Sequence, residues 1–232
     1  MEDNYKEDDN LEEVIKISKW KTPATDYPEK QTGSARIKHG FYNYGYFNNY
    51  GVRGYKFFEV TRQIPVTSLE IKDDKSKIWS TWMVDDPPHL WSMQDYARNS
   101  IGNVLVAGLG LGLITHELLD NVTNINNSNM LSKVLSDVDS ITVVERNKDV
   151  IDLISPLLPK AEGVKFQIIN KDFYDFIHES EEDFDRIIVD LWTSGSMAET
   201  KRILHEEVVP FSYYLKIKYP DASIVFHGFK VE

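Results

Sequence analysis

Cysteine is absent from this sequence, which excludes a disulfide framework, a thiolate metal site and a cysteine nucleophile. No apolar run is long enough to span a bilayer, and the first ten residues are acidic rather than apolar. Neither a membrane helix nor a signal peptide is expected, and the cytoplasm is the expected compartment. Positive charge is scarce, with 26 Lys and Arg against 37 Asp and Glu, a formal net charge of −11. Seven of those acids lie in residues 1–14 beside the single Lys6, so the rest of the chain is only mildly acidic. A body of that sign repels phosphate backbones. A small neutral or cationic molecule is therefore the expected partner, with neither nucleic acid nor membrane. The six histidines show no paired spacing, so no metal site is expected.

Against those absences stand 232 residues of ordinary globular composition, 41% hydrophobic and 27% charged, enough for one α/β domain and an appendage. Residues 1–35 are charged, poor in apolar periodicity and interrupted by Pro23 and Pro28. They read as an acidic, disordered tail in which Leu11 to Trp20 is the one candidate helix. Residues 36–90 form a second region. Phe41, Tyr42, Tyr44, Tyr46, Phe47, Tyr50, Tyr55, Phe57 and Phe58 are interleaved there with glycine and asparagine. With only Arg53 and Lys56 as nearby cations, a loop with aromatic anchors fits better than a base-stacking platform, which needs strong positive charge. Val66 to Ile71 and Ile78 to Met83, separated by Asp73-Asp74-Lys75, read as a β-hairpin. Asp86-Pro87-Pro88-His89 reads as a rigid turn before a helix over Ser92 to Arg98. It also resembles the Asp-Pro-Pro-Tyr motif of DNA-base amino-methyltransferases, but precedes the core strands and carries His89 in place of the stacking aromatic.

Residues 91–232 alternate strands and helices in the manner of a doubly wound parallel sheet. Strands are expected at Val104 to Ala107, Ile141 to Val144, Val164 to Ile169, Arg186 to Val189 and Ser223 to Phe226. Helices are expected at Leu113 to Leu119, Lys148 to Leu157, Phe173 to His178 and Glu199 to Lys216, with an Asn/Ser-rich insertion over 121–140 wrapped around a helical Met130–Val134 segment. The first strand runs into Gly108-Leu109-Gly110-Leu111-Gly112 and then an apolar helix. Glycines there permit the tight turn and let main-chain N–H groups approach a ligand. The second strand ends in Glu145, placed to accept both hydroxyls of a ribose. Asn170-Lys171-Asp172-Phe173 follows the third, with Asp172 able to accept an adenine amine or to cap a helix, and Phe173 to back the ring. Asp190 ends the fourth, followed by Leu191-Trp192. All four lie at the carboxyl edge of the strands, where open α/β sheets bind ligands.

On these motifs, residues 103–230 resemble the class I S-adenosylmethionine-dependent methyltransferase superfamily, and within it the spermidine synthase-like, aminopropyltransferase-related branch. The shared features are the Gly108–Gly112 turn, Val143-Val144-Glu145-Arg146-Asn147, Asp172, Phe184-Asp185-Arg186-Ile187-Ile188-Val189-Asp190 and a β-hairpin ahead of the nucleotide-binding domain. The resemblance implies a Rossmann-like sheet with its first strand central and S-adenosyl-L-methionine, or its decarboxylated form, as cofactor. It places Gly108, Gly110 and Gly112 around the methionine part, Glu145 on the ribose, Asp172 on adenine and Asp190 at the reactive centre. Aminopropyltransferases usually carry a second acid after the fourth strand, where this chain has Leu191-Trp192-Thr193-Ser194. They also favour an acid where this chain has Asn147. Both differences point to methyl transfer, with Asp190 orienting or deprotonating the acceptor and Trp192 forming a cation-friendly wall. His227 is a further candidate base. Aminopropyl transfer and a catalytically inactive nucleotide-binding relative are the alternatives. The hairpin of a sixth and seventh strand that ends most methyltransferases is expected to be missing, and a homodimer is left open.

Overall fold

The computed structural model describes residues 14–51, 54–127, 138–193 and 196–231. The amino-terminal region is β-rich. It comprises β1 (Val14–Ile17), β2 (Gln31–Thr32), β3 (Ala35–Tyr42), β4 (Gly45–Gly51), β5 (Gly54–Val60), β6 (Ile64–Lys72) and β7 (Trp79–Val84). These form a three-stranded sheet ordered β1-β5-β4 and a four-stranded sheet ordered β2-β3-β6-β7. Residues from 14 onward are thus not a loose tail, and no helix spans 14–20; residues 1–13 lie outside the described residues. Val14-Ile15-Lys16-Ile17 pairs in parallel with β5, which places Ile17 beside Phe58, Val60, Ile64 and Val66 in a small core. The alternation of that tetrapeptide suits a sheet face better than a helix. The aromatic segment is likewise a paired hairpin, β4 against β5, rather than a loop. Across the pair Phe47 stands opposite Phe58 and Tyr46 opposite Glu59, and aromatic residues suit a strand. The expected hairpin is β6–β7, embedded in the four-stranded sheet.

From α1 (Pro87–Arg98) the chain winds through β8 (Gly102–Ala107), α2 (Leu113–Asn127), β9 (Val138–Glu145), α3 (Lys148–Ile154), β10 (Lys165–Asn170), α4 (Phe173–Glu179) and β11 (Arg186–Val189). It continues through α5 (Met197–Ile203), α6 (Val209–Lys218) and β12 (Ser223–Phe226), with a π-helical turn over Leu204–Val208 joining α5 to α6. All described pairings in this sheet are parallel, in the order β10-β9-β8-β11-β12, with the first strand, β8, central. This is a Rossmann-like, doubly wound α/β fold. Val104 and Val106 face one core with Leu90, Met93, Leu118 and Leu153, while Leu105 and Ala107 face the other with Phe173, Ile177, Phe211 and Leu215. Because alternate side chains enter opposite layers, β8 must be apolar throughout, and Val104 to Ala107 are all fully buried. The expected Met130–Val134 helix lies outside the described residues.

Asp86-Pro87-Pro88 is the start of α1 rather than a turn ahead of it: Asp86 caps the helix by accepting the His89 N–H at 2.9 Å, with proline in the first turn. The four-stranded sheet leans on the same core as the glycine turn, with Ala35, Ile37, Leu69 and Met83 buried beside Leu109 and Leu111. That contact brings β7 over the carboxyl edge of the parallel sheet. Among the described residues no helix is long and apolar enough to cross a membrane.

Candidate active site

A cavity of about 640 Å³ opens at the carboxyl edge of the parallel sheet. Gly108, Gly110 and Asp190 line it from the ends of β8 and β11, Glu145 from β9, Asp172 and Phe173 from α4, Trp192 from the loop beyond β11, and Trp82 and Met83 from β7. The pairing of β6 with β7 slips between Leu69 and Glu70, so Leu69 faces Met83 while Glu70 faces Thr81. Trp82 is left unopposed, and the bulge brings four successive residues, Thr81 to Val84, to the cavity wall.

The three glycines have different tasks. All adopt positive φ, +93° at Gly108, +52° at Gly110 and +74° at Gly112. A Cβ on Gly108 would stand 2.5 Å from the Asp190 carbonyl oxygen, so this glycine lets the end of β11 close against the turn. A Cβ on Gly110 would stand 2.5 Å from the Met83 sulfur. Gly112 is not part of the cavity lining: its missing Cβ makes room for Leu158 and Ile154, so it serves helix packing.

The amides of the turn are also committed differently from the sequence expectation. Leu109 N–H donates to Glu145 Oε2 at 3.0 Å, and Leu111 N–H donates to Met83 Sδ at 3.0 Å. The Glu145 Oε1 atom accepts the Asn147 N–H at 2.7 Å. Glu145 therefore holds the glycine turn to the end of β9 as well as lining the cavity. Each of its oxygens has a second lone pair available to a ribose hydroxyl. Asp172 caps α4 by accepting the Tyr174 N–H at 2.9 Å while facing the cavity, so both sequence roles are compatible. Phe173 is buried and meets Phe211 edge-on. Trp192 donates its indole N–H to Glu207 at 2.7 Å and packs on Phe226 and Phe229, which fixes its ring as a wall.

Asp190 is 20% exposed, and its solvent contact opens on the cavity it lines. Burial raises its pKa above the ordinary carboxylate range. Burial also pushes Asp86 up to about 6. Beside Asp190 the structure assembles two histidines, one from the first turn of α1 and one just beyond β12. The His89 Nε2 atom lies 3.8 Å from Asp190 Oδ2, and the His89 and His227 ring centroids are 4.5 Å apart. His89 Nε2 and His227 Nδ1 are both buried without a hydrogen-bond partner. Nothing local in Asp86-Pro87-Pro88-His89 foretells for His89 a partner 138 positions away. The cavity rim carries Asp86, Glu145, Asp172, Asp190, Glu199 and Glu207, against Arg146 and Arg202. Arg202 is engaged by Glu199, Glu206 and Glu207 at 2.9, 3.2 and 3.1 Å. The lining is net anionic. Among the described residues no group of three acidic or histidine side chains is arranged to hold a metal ion.

The sheet order, the glycine turn and a carboxylate at each successive strand end define a recognisable site, and residues 92–211 match the model of the spermine/spermidine synthase domain. The chain belongs to that family. Comparison with curated proteins returns no match. Among solved structures, the chain is similar to MnmC2 from Aquifex aeolicus, at 14% identity and a TM-score of 0.34, covering 66% of this chain and 52% of that one. It is similar to spermidine synthase from Thermotoga maritima at 12% identity and a TM-score of 0.34, covering 69% and 57%. A spermidine synthase in complex with the transition-state analogue AdoDATO aligns at 13% identity and a TM-score of 0.35, covering 71% and 59%. The chain thus spans little more than half the length of these structures. The matched segment begins inside α1 and takes in the glycine turn, Glu145, Asp172 and Asp190.

Proposed function

We propose that this member of the spermine/spermidine synthase domain family is an S-adenosyl-L-methionine-dependent methyltransferase acting on a small amine. One observation carries the proposal: the anionic cavity at the strand ends, with Asp190 at its floor and its arginines either engaged by glutamates or at the rim. Such a lining suits a sulfonium and an ammonium and disfavours phosphate. It supports a small-molecule acceptor over nucleic acid.

The residues present fit an adenosyl group. The volume is that of a small-molecule site. Glu145 keeps lone pairs for a ribose diol, Asp172 keeps an oxygen beyond its cap bond, and Phe173 supplies an apolar backing. When bound, the donor would supply a sulfonium carbon already activated for displacement. The protein's part is then to bind, align and dry the acceptor. Asp190, with its raised pKa, is suited to take a proton from an amine, and the fixed Trp192 ring can face a cation.

Methyl transfer is favoured over aminopropyl transfer by Asn147 and by Leu191-Trp192. Asn147 is occupied as the cap of α3 and bonds Ser34, and no second acid follows Asp190 on its loop. The family itself favours the second reading, aminopropyl transfer from decarboxylated S-adenosylmethionine. Calorimetry with S-adenosylmethionine, its decarboxylated form and methylthioadenosine tests the choice. Tightest binding of S-adenosylmethionine is expected; preference for the decarboxylated form selects the second reading, and no binding of any of the three overturns both.

A further inference from the structure

A second cavity, of about 600 Å³, lies beside the first. Tyr42, Tyr46, Phe47 and Phe57 of the aromatic strands line it. Only Asp86, His89 and His227 line both cavities. The two histidines therefore form part of the partition between the adenosyl-type cavity and an aromatic chamber, and His89 turns its unpartnered Nε2 toward Asp190 at 3.8 Å. Burying an imidazole nitrogen with no partner costs stability unless something is supplied to it. Asp190 Oδ2, at 3.8 Å, stands just beyond hydrogen-bond length, and a side-chain shift of roughly 1 Å would close the gap. Catalytic hydrogen bonds are often this long before substrate binds.

We propose that His89 is a proton relay that carries the acceptor's proton from Asp190 out to the aromatic chamber. The inference rests on the transferase reading for its purpose, though not for its test. The step balances as follows: the acceptor N–H proton passes to the Asp190 carboxylate as the nitrogen lone pair attacks the donor carbon and the carbon–sulfur pair leaves on sulfur. Asp190 O–H then donates its proton to His89 Nε2, and His89 releases a proton from Nδ1 toward the chamber. One proton enters the imidazole, one leaves, and the carboxylate is restored. The imidazole carries no lasting charge, and its return to the Nδ1–H tautomer, by rotation of the ring and exchange with the chamber, closes the cycle before the next proton arrives. The groups around the imidazole are Asp190 at the end of β11, His227 beyond β12, Asp86 at the start of its own helix, and Tyr96 two turns further along α1, whose ring lies 6.0 Å from that of His227. Burial, followed by the neighbouring His227, disfavours the protonated form of His89, which is what a relay requires and a storage site does not.

The tautomer of His89 is readable by nitrogen-15 NMR on the full chain without any ligand, with the six imidazoles assigned by single His→Gln variants. With Asp190 protonated, His89 is expected to hold its proton on Nδ1; with Asp190 ionised, on Nε2, donating to the carboxylate. Raising the pH should therefore switch the tautomer, and Asp190→Asn should abolish the switch. The reciprocal titration of the Asp190 carboxyl carbon should shift by at least half a pH unit in His89→Gln, which covers the case of an unfolded Asp190 variant. A His89 tautomer independent of pH, or a switch that survives Asp190→Asn, overturns the relay. Calorimetry with S-adenosylmethionine decides the transferase reading separately, so the two can fail independently.

Discussion

Met83 and Gly110 share one volume: the methionine sulfur sits 2.5 Å from where a Cβ on Gly110 would stand, and accepts the Leu111 N–H at 3.0 Å. The glycine turn of the parallel sheet is completed by a strand of the amino-terminal sheet, and neither region forms the site alone. A Cβ on Gly110 meets two penalties, a φ of +52° worth about 1–2 kcal/mol and the encounter with sulfur. Gly110→Ala is expected to lower unfolding free energy by roughly 2–4 kcal/mol. Met83→Ala in that background should recover the steric part and leave the backbone part. Urea denaturation of the two single variants and the double variant measures the coupling; strict additivity would mean that the residues do not touch.

Glu145 joins binding to local structure. Glutamine in its place keeps one accepting oxygen for the two N–H groups of Leu109 and Asn147, so one of them loses its partner. Affinity for S-adenosylmethionine is expected to fall at least tenfold, with about 1–2 kcal/mol of stability lost. Calorimetry and thermal denaturation on the same protein separate the two effects.

Asp190→Asn retains the shape and removes the base. Turnover of a primary diamine panel with S-adenosylmethionine, followed by mass spectrometry, should fall by roughly 100- to 10,000-fold. Donor affinity should stay within about threefold, because the proposed donor contacts are those of Glu145 and Asp172. A change confined to donor affinity would remove Asp190 from the chemistry.

Asp86 makes stability depend on pH. Its carboxyl is raised to about 6 by burial, above its value in the unfolded chain, so the folded state binds the proton more tightly. Its contribution is therefore most favourable below about pH 4 and declines as pH rises through 6. The full cost above pH 7 is on the order of 3 kcal/mol. Asn is also a good helix cap, so Asp86→Asn should match the wild type at pH 4 and exceed it at pH 8. Denaturation midpoints at the two pH values check this.

The parallel sheet was legible because its signals are local. Val104 to Ala107 is apolar on both faces and runs into glycines, which only a buried strand followed by a tight turn accommodates. Glu145 and Asp190 stand at the ends of two more buried strands, Asp172 follows the edge strand β10, and parallel winding brings strand ends to one edge. The first region was harder. Aromatic residues spaced by glycine and asparagine satisfy both a loop and a twisted hairpin, and the pairing of β4 with β5 is settled by partners rather than composition. The same holds for β1, whose four residues become a strand through β5, 43 positions away.

Residue order by itself therefore determined the Rossmann-like core, the glycine turn and the carboxylates at its rim, since each depends on neighbours a few positions apart. Tertiary structure alone decided that Met83 fills the turn, that Gly112 packs a helix, and that His89 meets His227 and Asp190. Those contacts join segments far apart in the chain, and no local spacing encodes which distant side chain will come to fill a given space.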